Sequence, residues 1–548
     1  MRKVIKYSLL TLVGLCVLLL ALPTALYLTA DMKQPHEVVD TSSVEVVVRG
    51  DSVRLTTRGS LVRTPYGLWE GRVSGTPLER GLHLGVLQRD LLEYQEAAFV
   101  EQIRRFVPSE KYLWLLHKLT IIFNRRMADH IDEELRQEIY AMSASCSHRF
   151  DSFGTPYFRQ LNYHAAHDIG HAMQEYMLVG CSAFAVRGEA SEDGNLLVGR
   201  NFDFWVGDAF AENKVVMLVE PTEGYRYLSV TWPGMVGVVS GMNERGLTVT
   251  INAAKGAIPT SSAMPISLLT RRILQYASSI EEAYRMACEA ETFVSESILV
   301  ASGEENRAVV IEKSPAQTAL YAPETERLVV TNHYQSEAFA TDAYNLENIA
   351  TSDSPYRHAR LTELLTEAGR LTPEGAAAVL RNRYGMGGRD IGLTNEKSIN
   401  QAIAHHAVIF QPEERRVWVS TAPWQAGAML CYDLDEVFAA PADGQTCYDA
   451  TRTIAPDSAF LMNDYPRVTA YRALSQRLQH QPDTSLVDSL VKLNPNYFGT
   501  YELAGDCYAA EGRTAEAVAL WHEALECETA RLSDRQKIEQ KIQDYGKR

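Results

Sequence analysis

The 548-residue chain lacks several features that mark common classes of protein. It has no run of lysine and arginine outside the first six residues, and its formal net charge is −16. We therefore exclude nucleic acid as its main partner, because phosphate binding needs a concentrated basic face. The chain also has no C-x-x-C pair, and its scattered cysteines do not form the dense disulfide framework of a small secreted domain. Its content of 46% hydrophobic and 22% charged residues is that of an ordinary globular protein.

The N-terminus carries the one long apolar run. Arg2, Lys3 and Lys6 precede an almost uncharged stretch from Tyr7 to Ala30. About 20 apolar residues cross a bilayer, whereas a cleaved signal has roughly 7–15. Residues 1–30 are therefore predicted to be a signal anchor, with cleavage left open. The basic residues before the run place the body outside the cytoplasm, in the cell envelope (the periplasm of a Gram-negative cell), or secreted if the segment is removed.

The number of cysteines outside the apolar run is odd, so at least one thiol of the exported part is unpaired. Eight cysteines are present, and Cys16 lies inside the apolar run. Cys431 and Cys447 are close enough in sequence to form a disulfide, but an odd number remains. Cys181 is our candidate for the free thiol.

Hydrophobic periodicity predicts an α+β body. Residues 31–180 read as a short β-rich lead-in followed by a helical block over 82–142. Between 193 and 252 the period falls to two, as in "NLLVGRNFDF" and "LTVTINA", which predicts adjacent antiparallel strands. Two helices, further strands, a helical stretch and a closing hairpin at "HAVIFQPEERRVWVSTA" follow. We assign the catalytic domain to 181–450, with helices packed outside two sheets.

The last segment, 460–548, has a different pattern. The stretch "NPNYFGTYELAGDCYAAEGRTAEAVALWHEALE" has the helix–turn–helix spacing of a tetratricopeptide repeat. Such repeats need neighbours to bury their faces. We therefore expect this all-α tail to dock on the main domain or to bind a protein partner.

The stretch "LVGCSAFA" places Cys181 in an apolar setting, where a free cysteine is usually packing material. A nucleophilic thiol needs a base, and no histidine lies beside this one in sequence. Cleavage of the Gly180–Cys181 bond would release an α-amino group whose reference pKa of about 7.7–8.0 suits a general base. Glycine before the cysteine permits the strained backbone that self-cleavage needs.

Four sequence features in order resemble a known family. Cys181, "DGNLLVGRNFDF", "GMVGVVSGMNERGLTVTINA" and "VVTNH" are similar to motifs of the N-terminal-nucleophile (Ntn) hydrolases of the choloylglycine hydrolase and acyl-coenzyme A:6-aminopenicillanate acyltransferase group. The resemblance covers about residues 175–435. It implies a four-layer αββα sandwich. Because about 180 residues precede the cysteine, it also implies a leading segment that stays as a separate subunit after cleavage.

The resemblance also implies roles for individual residues. Cys181 would be the nucleophile, exposed by cleavage after Gly180. Arg200 would supply positive charge near the thiol, and Asp203 a carboxylate that accepts hydrogen bonds from the new amine. Asn252 would donate to the oxyanion, Asn332 would orient the site, and Arg357 matches the late arginine of the family. Arg357 is the looser match, and Arg360 is its competitor. Preorganised donors for an oxyanion are a physical requirement of acyl transfer.

A second constellation lies just upstream, in "YHAAHDIGHAM". His167 and His171 are four residues apart and share a helix face, and His164 lies nearby, so the three histidines are an alternative zinc site. Asp168 stands where the zinc-protease pattern has glutamate. We expect no metal and no organic cofactor. This segment is instead expected to pack against the cleft and to help position the 180–181 bond.

The sequence thus predicts an exported cysteine amidase that acts on a small-molecule N-acyl amide. An acyltransferase that passes the acyl group to an amine is the alternative enzyme, and a non-catalytic scaffold that uses its tail for interactions is the alternative of another class. The aromatic residues Phe202, Phe204, Trp205, Phe210 and the "WPGM" stretch from Trp232 are candidates for an acyl pocket or for core. His405 and His406 are predicted to be structural.

Overall fold

Two β-sheets form the centre of the molecule. The computed structural model describes residues 21–172 and 178–546, with the backbone alone for residues 167, 169–172, 178 and 179. Strands in these residues are numbered in chain order. The first sheet has the order β1-β2-β3-β4-β8-β9-β10-β11-β12-β13-β14. These strands are Val47–Arg49, Val53–Thr56, Gly59–Arg63, Trp69–Gly75, Val215–Pro221, Tyr227–Thr231, Ser240–Asn243, Leu247–Ala253, Glu296–Ser302, Arg307–Lys313 and Thr318–Tyr321.

The second sheet carries β6, the strand that begins just after Cys181, next to its edge strand β15. Its order is β15-β6-β7-β16-β17-β18-β19, and β5 pairs with β7. The predicted closing hairpin is confirmed as the antiparallel pair β16 and β17. In chain order from β5 to β7 and β15 to β19, the strands are Leu178–Val179, Ser182–Val186, Leu197–Trp205, Arg327–Val330, Ala404–Gln411, Arg416–Ser420, Met429–Asp433 and Asp449–Ile454.

The N-terminal strands extend the first sheet, which the sequence pattern did not reveal. Strand β4 pairs with β8 in parallel, from Trp69 opposite Val215 to Gly75 opposite Pro221. A helical block separates the two strands in sequence, and its first helix begins at Pro77 with a capping box between Thr76 and Glu79. The helices α1 to α5 of this block are Pro77–Leu87, Arg89–Phe106, Glu110–Phe123, Glu133–Ser143 and Pro156–Ala172.

Apolar cores lie on both faces of each sheet. Side chains such as Val198 and Val216 pack between the sheets. Leu84 and Ile273 belong to a core that covers the outer face of the first sheet, and Leu361 belongs to one on the outer face of the second. The predicted mixture of sheets and packed helices is therefore confirmed. The helices α6 to α11 of this part are Ile266–Tyr276, Ile280–Glu289, Ala343–Thr351, Ser354–Ala368, Pro373–Leu380 and Leu434–Ala439.

Strand β7 does not lie beside β8 to β11 as the sequence pattern predicts, and burial of both its faces explains the difference. The strands β8 to β11 are antiparallel neighbours, as the alternating pattern predicts. Strand β7, from the same stretch of sequence, lies in the other sheet, between β6 and β16. Every residue of β7 except Trp205 is buried. A strand covered on both faces loses the alternation that would show its sheet.

The C-terminal tail consists of helices α12 to α16. Helices α14 and α15 form a helix–turn–helix pair in which a Cβ atom on Gly505 would come within 2.5 Å of Trp521 Nε1. This close approach requires glycine. Membership of the tetratricopeptide class stays a prediction. The bounds of α12 to α16 are Tyr465–His480, Val487–Leu493, Phe498–Ala510, Thr514–Glu526 and Leu532–Gly546.

The suggested disulfide between Cys431 and Cys447 is wrong. Both cysteines are free. Cys431 packs in the core on the outer face of the second sheet, whereas Cys447 lies against the core between the sheets and its N–H donates to Glu70 Oε2 at 2.8 Å. The two thiols therefore belong to different layers.

No helix within residues 21–172 and 178–546 combines the length and the apolarity needed to span a bilayer. Most of the predicted anchor, residues 1–20, lies outside the described residues.

Candidate active site

Cys181 immediately precedes β6 and is fully buried. Removal from water raises the pKa of its thiol, and the nearby charge of Arg200 opposes this rise. Arg200, on the neighbouring strand β7, holds its Nη2 atom 3.6 Å from Cys181 Sγ. The thiol therefore has a cationic contact with the arginine that the sequence assigns to this role.

Main-chain and side-chain oxygens hold the Arg200 guanidinium in place. Its Nη1 atom donates to Ser240 Oγ at 2.7 Å and to Val239 O at 3.2 Å, and its Nη2 atom donates to Ile251 O. The Phe202 ring lies 4.3 Å from the guanidinium carbon. These contacts fix the direction of the positive charge, and burial lowers the pKa of Arg200.

The Gly180–Cys181 peptide bond is intact and lies among donors. The Gly180 carbonyl oxygen accepts from Arg357 Nη1 at 3.2 Å and from Gln401 Nε2 at 3.4 Å. Arg357 Nη1 also donates to the Cys181 carbonyl oxygen at 2.7 Å. On the other side, the Gly180 N–H donates to the Asp203 carbonyl oxygen at 3.1 Å. Donors aimed at this carbonyl stabilise negative charge that develops on its oxygen.

Arg357, not Arg360, reaches the bond. Both arginines lie on α9, but Arg360 Nη1 binds Glu363 at 2.5 Å. Arg357 donates from Nε to Asp353 Oδ2 at 2.8 Å and from Nη2 to Asn332 Oδ1 at 2.6 Å. The guanidinium thus links the buried carboxylate of Asp353 to the Gly180–Cys181 peptide bond.

The carboxyl group of Asp203 is buried without a hydrogen-bond partner for either oxygen among the described residues. Burial raises its pKa to about 8, although the charges of Arg357 and Arg200 act to lower it. Burial therefore favours the protonated form of this carboxyl.

The two predicted asparagines join β11 to the end of β15 in the uncut chain. Asn252 Nδ2 donates to the carbonyls of Val330 at 3.2 Å and Thr331 at 3.1 Å, and Asn332 Nδ2 donates to Ala253 O at 2.8 Å. The N–H groups of Asn252 are thus occupied. The oxyanion role expected for this residue requires one of these bonds to open.

The zinc alternative finds no support around His164. Its Nδ1 atom binds Gln160 O at 2.7 Å and its Nε2 atom accepts from the Val236 N–H at 3.0 Å, so both ring nitrogens are occupied. Burial lowers the pKa of His164 to about 4. Among the described residues, no group of three or more His, Cys, Asp or Glu side chains is arranged to hold a metal ion. The side chains of His167 and His171 lie outside the described part of the chain.

Asp168 has a structural position. Its Oδ2 atom accepts from the Ile266 N–H at 2.8 Å, at the first residue of α6. A carboxylate there satisfies a free helix N–H and complements the helix dipole.

Sequence reasoning missed several groups around the thiol. Gln401 contacts Gly180 across 221 positions of sequence, and no local pattern marks it. His406 Nε2 binds Ser240 Oγ at 2.9 Å and thereby supports Arg200. Asp353 did leave a signal, because it lies four residues before Arg357 on a helix, where side chains meet.

The predicted aromatic pocket is closed in this state. The rings of Phe204, Phe210 and Trp232 pack against one another with centroids 5.2 to 6.1 Å apart. The cavity beside them measures about 40 Å³ and is also lined by Leu92 and Tyr163 of the N-terminal helices. Such a volume holds only a few water molecules. The aromatic residues therefore act as core in the uncut chain.

Part of the chain matches the model of a known protein family. The family model described as AAT: Acyl-coenzyme A:6-aminopenicillanic acid acyl-transferase matches residues 190–423, a stretch that begins after Cys181 and includes the other predicted site residues. An uncharacterized protein of Archaeoglobus fulgidus is 26% identical over 348 residues. That match covers 57% of this chain, and the chain spans only 57% of the length of this relative.

Two solved structures are also similar. An N-acylethanolamine-hydrolyzing acid amidase ortholog of Caenorhabditis elegans is 17% identical, with a TM-score of 0.32, 42% of this chain covered and 93% of the other. A mutant form of the conjugated bile acid hydrolase of Clostridium perfringens is 13% identical, with a TM-score of 0.33, 48% of this chain covered and 95% of the other.

Proposed function

We propose that the chain is a cysteine Ntn hydrolase of four-layer αββα architecture, which cleaves a linear amide bond of an N-acylated small molecule through a thioester on Cys181. One observation carries the proposal. The carbonyl before a fully buried cysteine accepts hydrogen bonds from Arg357 and Gln401, two donors from different elements, while Arg200 lies against the thiol.

The first reaction is cleavage of the chain itself. Cys181 Sγ, as thiolate, attacks the Gly180 carbonyl carbon, and Arg357 and Gln401 stabilise the oxyanion. The bond between the Gly180 carbon and the Cys181 nitrogen breaks, and the nitrogen leaves as an amine with a proton gained. Water then hydrolyses the thioester, which yields a Gly180 carboxylate and a free thiol.

The mature enzyme repeats this chemistry on its substrate. The Cys181 amine accepts the thiol proton and transfers it to the leaving amine of the substrate, and water resolves the acyl-enzyme. The Asp203 carboxyl holds that amine, which would supply the donor that the carboxyl lacks in the uncut chain. No metal or organic cofactor takes part in any step.

The N-terminal segment stays bound after the cut. The parallel pairing of β4 with β8 supports this. So does Glu138 of α4, which binds Arg80 Nη2 at 2.6 Å and Arg271 Nη2, on the other side of the cleavage bond, at 3.2 Å. Export and anchoring through residues 1–30 belong to the same proposal, supported by the basic residues before the apolar run.

Intact-mass analysis of the purified full chain tests the proposal. We expect two fragments that break between Gly180 and Cys181, with a single uncut chain in Cys181→Ala and thiol-dependent hydrolysis of members of an N-acyl amide panel. Cys447→Ala, at another free thiol, serves as the control and should still be cut. An uncut wild-type chain without amidase activity would favour the non-catalytic scaffold instead.

The family match favours a second candidate, an acyltransferase. The two activities differ only in whether water or an amine resolves the thioester. Product analysis with a panel of primary amines separates them: a hydrolase releases mainly free acid, whereas a transferase releases mainly the new amide.

A further inference from the structure

Helix α3, Glu110–Phe123, turns an apolar face outward. Tyr112, Leu115, Leu116 and Leu119 follow the i, i+3, i+4, i+7 spacing of one helix face and are 45 to 66% exposed. We call these four residues the outer stripe. A helix of a globular protein normally turns such a stripe towards its core. A contiguous exposed apolar patch marks an interaction surface.

The segment that carries the outer stripe has an excess of basic residues. Residues 101–129 contain six lysines and arginines against three acidic residues, a net charge of +3 in a chain of net charge −16. Lys111 and Lys118 lie on α3 itself, and Trp114 is 61% exposed beside the stripe. Aromatic and basic side chains around an apolar helix face are the signature of helices that lie in a membrane interface.

The helix also contacts the end of the N-terminal apolar run. Lys118 Nζ donates to Tyr27 Oη at 2.7 Å and lies 4.4 Å over the Tyr27 ring. Residues 21–28 are helical, and Leu22 and Leu28 are exposed. Two exposed apolar surfaces thus lie next to each other.

We infer that the outer stripe docks on an anionic lipid surface, with the stripe in the acyl-chain boundary and the basic side chains of residues 101–129 at the headgroups. The net positive charge of residues 101–129 and the adjacent apolar residues 21–28 together fit an anionic lipid surface. The inference does not depend on the chemistry of Cys181.

Trp114 is a built-in reporter for this surface. The full chain is reconstituted in vesicles of equal parts phosphatidylcholine and phosphatidylglycerol, with and without brominated acyl chains. We expect brominated lipid to quench an emission component that Trp114→Phe lacks and that Trp424→Phe retains. Equal lipid quenching in wild type and Trp114→Phe would overturn the inference. So would quenching of Trp114 by aqueous iodide, or its protection from both quenchers by residues 1–20.

A matched pair of charge insertions gives a second readout. Leu119 and Leu346 are each 50% exposed, on α3 and on α8. We expect Leu119→Glu to abolish the lipid-quenched component and Leu346→Glu to leave it unchanged. The same result for both variants would contradict a docking role for α3.

A second observation concerns the C-terminal tail. Arg531, just before α16, has its Nε atom 3.5 Å from Asp353 Oδ1, and the other oxygen of this carboxylate accepts from Arg357. Arg357 in turn donates to the Gly180 carbonyl oxygen. Asp353 is therefore shared between the tail and the arginine that holds the cleavage bond.

The tail also supports the other donor of that carbonyl. Arg472 Nη2 of α12 donates at 2.7 Å to the carbonyl oxygen of Ala402, which has a left-handed backbone with φ of 56° and follows Gln401. Asn494 exchanges two 2.8 Å hydrogen bonds with the main chain of Leu393, at the start of the same loop. The backbone around Gln401 is thus held from the tail.

The geometry points to the tail as a positioning element of the active site, with Arg531 and Asn494 as positioning residues for the two donors of the Gly180 carbonyl. This role rests on the proposed function. The predicted docking of the tail on the main domain would then serve to position those donors.

The rate of cleavage at the 180–181 bond tests this role. We expect Arg531→Gln to slow cleavage by about 10- to 100-fold, because loss of an outer support misplaces the donor it holds. Arg531→Lys should restore most of the rate. Arg535→Gln, at an exposed pair on the same helix, should cleave normally.

Two results separate positioning from simple loss of fold. The melting temperature of Arg531→Gln, measured in the uncleavable Cys181→Ala background, should match that background. Asn494→Ala gives an independent test through Gln401 and should also slow cleavage. Wild-type rates in both variants would overturn the positioning role, whereas absence of cleavage in the wild type would overturn the proposed function itself.

Discussion

The N-terminal region and the C-terminal tail both flank the catalytic domain, but they are attached in different ways. The N-terminal region is joined through strand pairing of β4 with β8 and through the buried ion pair of Glu138 with Arg271. The tail is joined mainly by side chains that bind loop backbone and by the shared carboxylate of Asp353. The first attachment suits a segment that, under the proposed self-cleavage, stays bound when its covalent link is cut. The second suits an element that adjusts the groups around the Gly180 carbonyl.

Breaking the N-terminal attachment should have the largest effect on stability. Glu138 is buried and binds both Arg80 and Arg271. We expect Glu138→Gln to lower the free energy of unfolding by about 3–5 kcal/mol, because it leaves buried arginine charge uncompensated. Chemical denaturation of the Cys181→Ala form measures the change.

An exposed ion pair supplies the control for this variant. Glu304 binds Arg245 on the surface, with a side chain 60% exposed. Glu304→Gln should cost less than about 1 kcal/mol. A loss of similar size in both variants would mean that the buried pairs do not hold the N-terminal region.

Removing the guanidinium of Arg357, which links the tail contacts to the Gly180 carbonyl, should have the next largest effect. We expect Arg357→Gln to slow self-cleavage by about 10²–10³-fold, since it removes an oxyanion donor. A time course by gel electrophoresis measures the rate. Arg360→Gln, on the same helix but bound to Glu363, should cleave at the wild-type rate, and equal slowing of the two variants would contradict the role of Arg357.

The pH dependence of stability tests Asp203, which lies on strand β7. Unfolded, this carboxyl loses its proton near pH 4, whereas burial in the uncut fold raises its pKa to about 8. The folded state therefore binds more protons in this window. The contribution of Asp203 to the free energy of unfolding is fully present below about pH 4 and is lost as the pH rises to about 8. The free energy of unfolding falls by no more than about 1.4 kcal/mol per pH unit in this range.

Comparison of two uncleavable forms isolates this contribution. We expect the free energy of unfolding of Cys181→Ala to fall more steeply with pH than that of Cys181→Ala with Asp203→Asn. Asp208→Asn in the same background, at an exposed carboxylate, should keep the steep slope. Parallel slopes in all three forms would show that Asp203 is ionised when buried.

Local sequence patterns identified many of the site residues, but they did not show how these residues come together. Arg200 and Asp203 are polar residues in an otherwise apolar strand, and burial of β7 on both faces makes such residues conspicuous. Arg357 and Asp353 are four residues apart, so their spacing in the sequence indicates that their side chains meet. No local pattern marks Gln401 or Ser240, because each reaches the site through contacts between elements that are far apart in sequence. Asn252 has the expected location, but its N–H groups are already used by neighbouring carbonyls.

By itself, the sequence determined the helices and strands, the apolar setting of Cys181 and the polar residues of β7, because periodicity and residue type act locally along the chain. The tertiary structure alone decided that β4 joins β8, that Arg357 rather than Arg360 reaches the Gly180 carbonyl, and that the tail supports both donors of that carbonyl. Those outcomes depend on which surfaces pack together, and residues far apart in sequence bear no local mark of the contacts that packing creates.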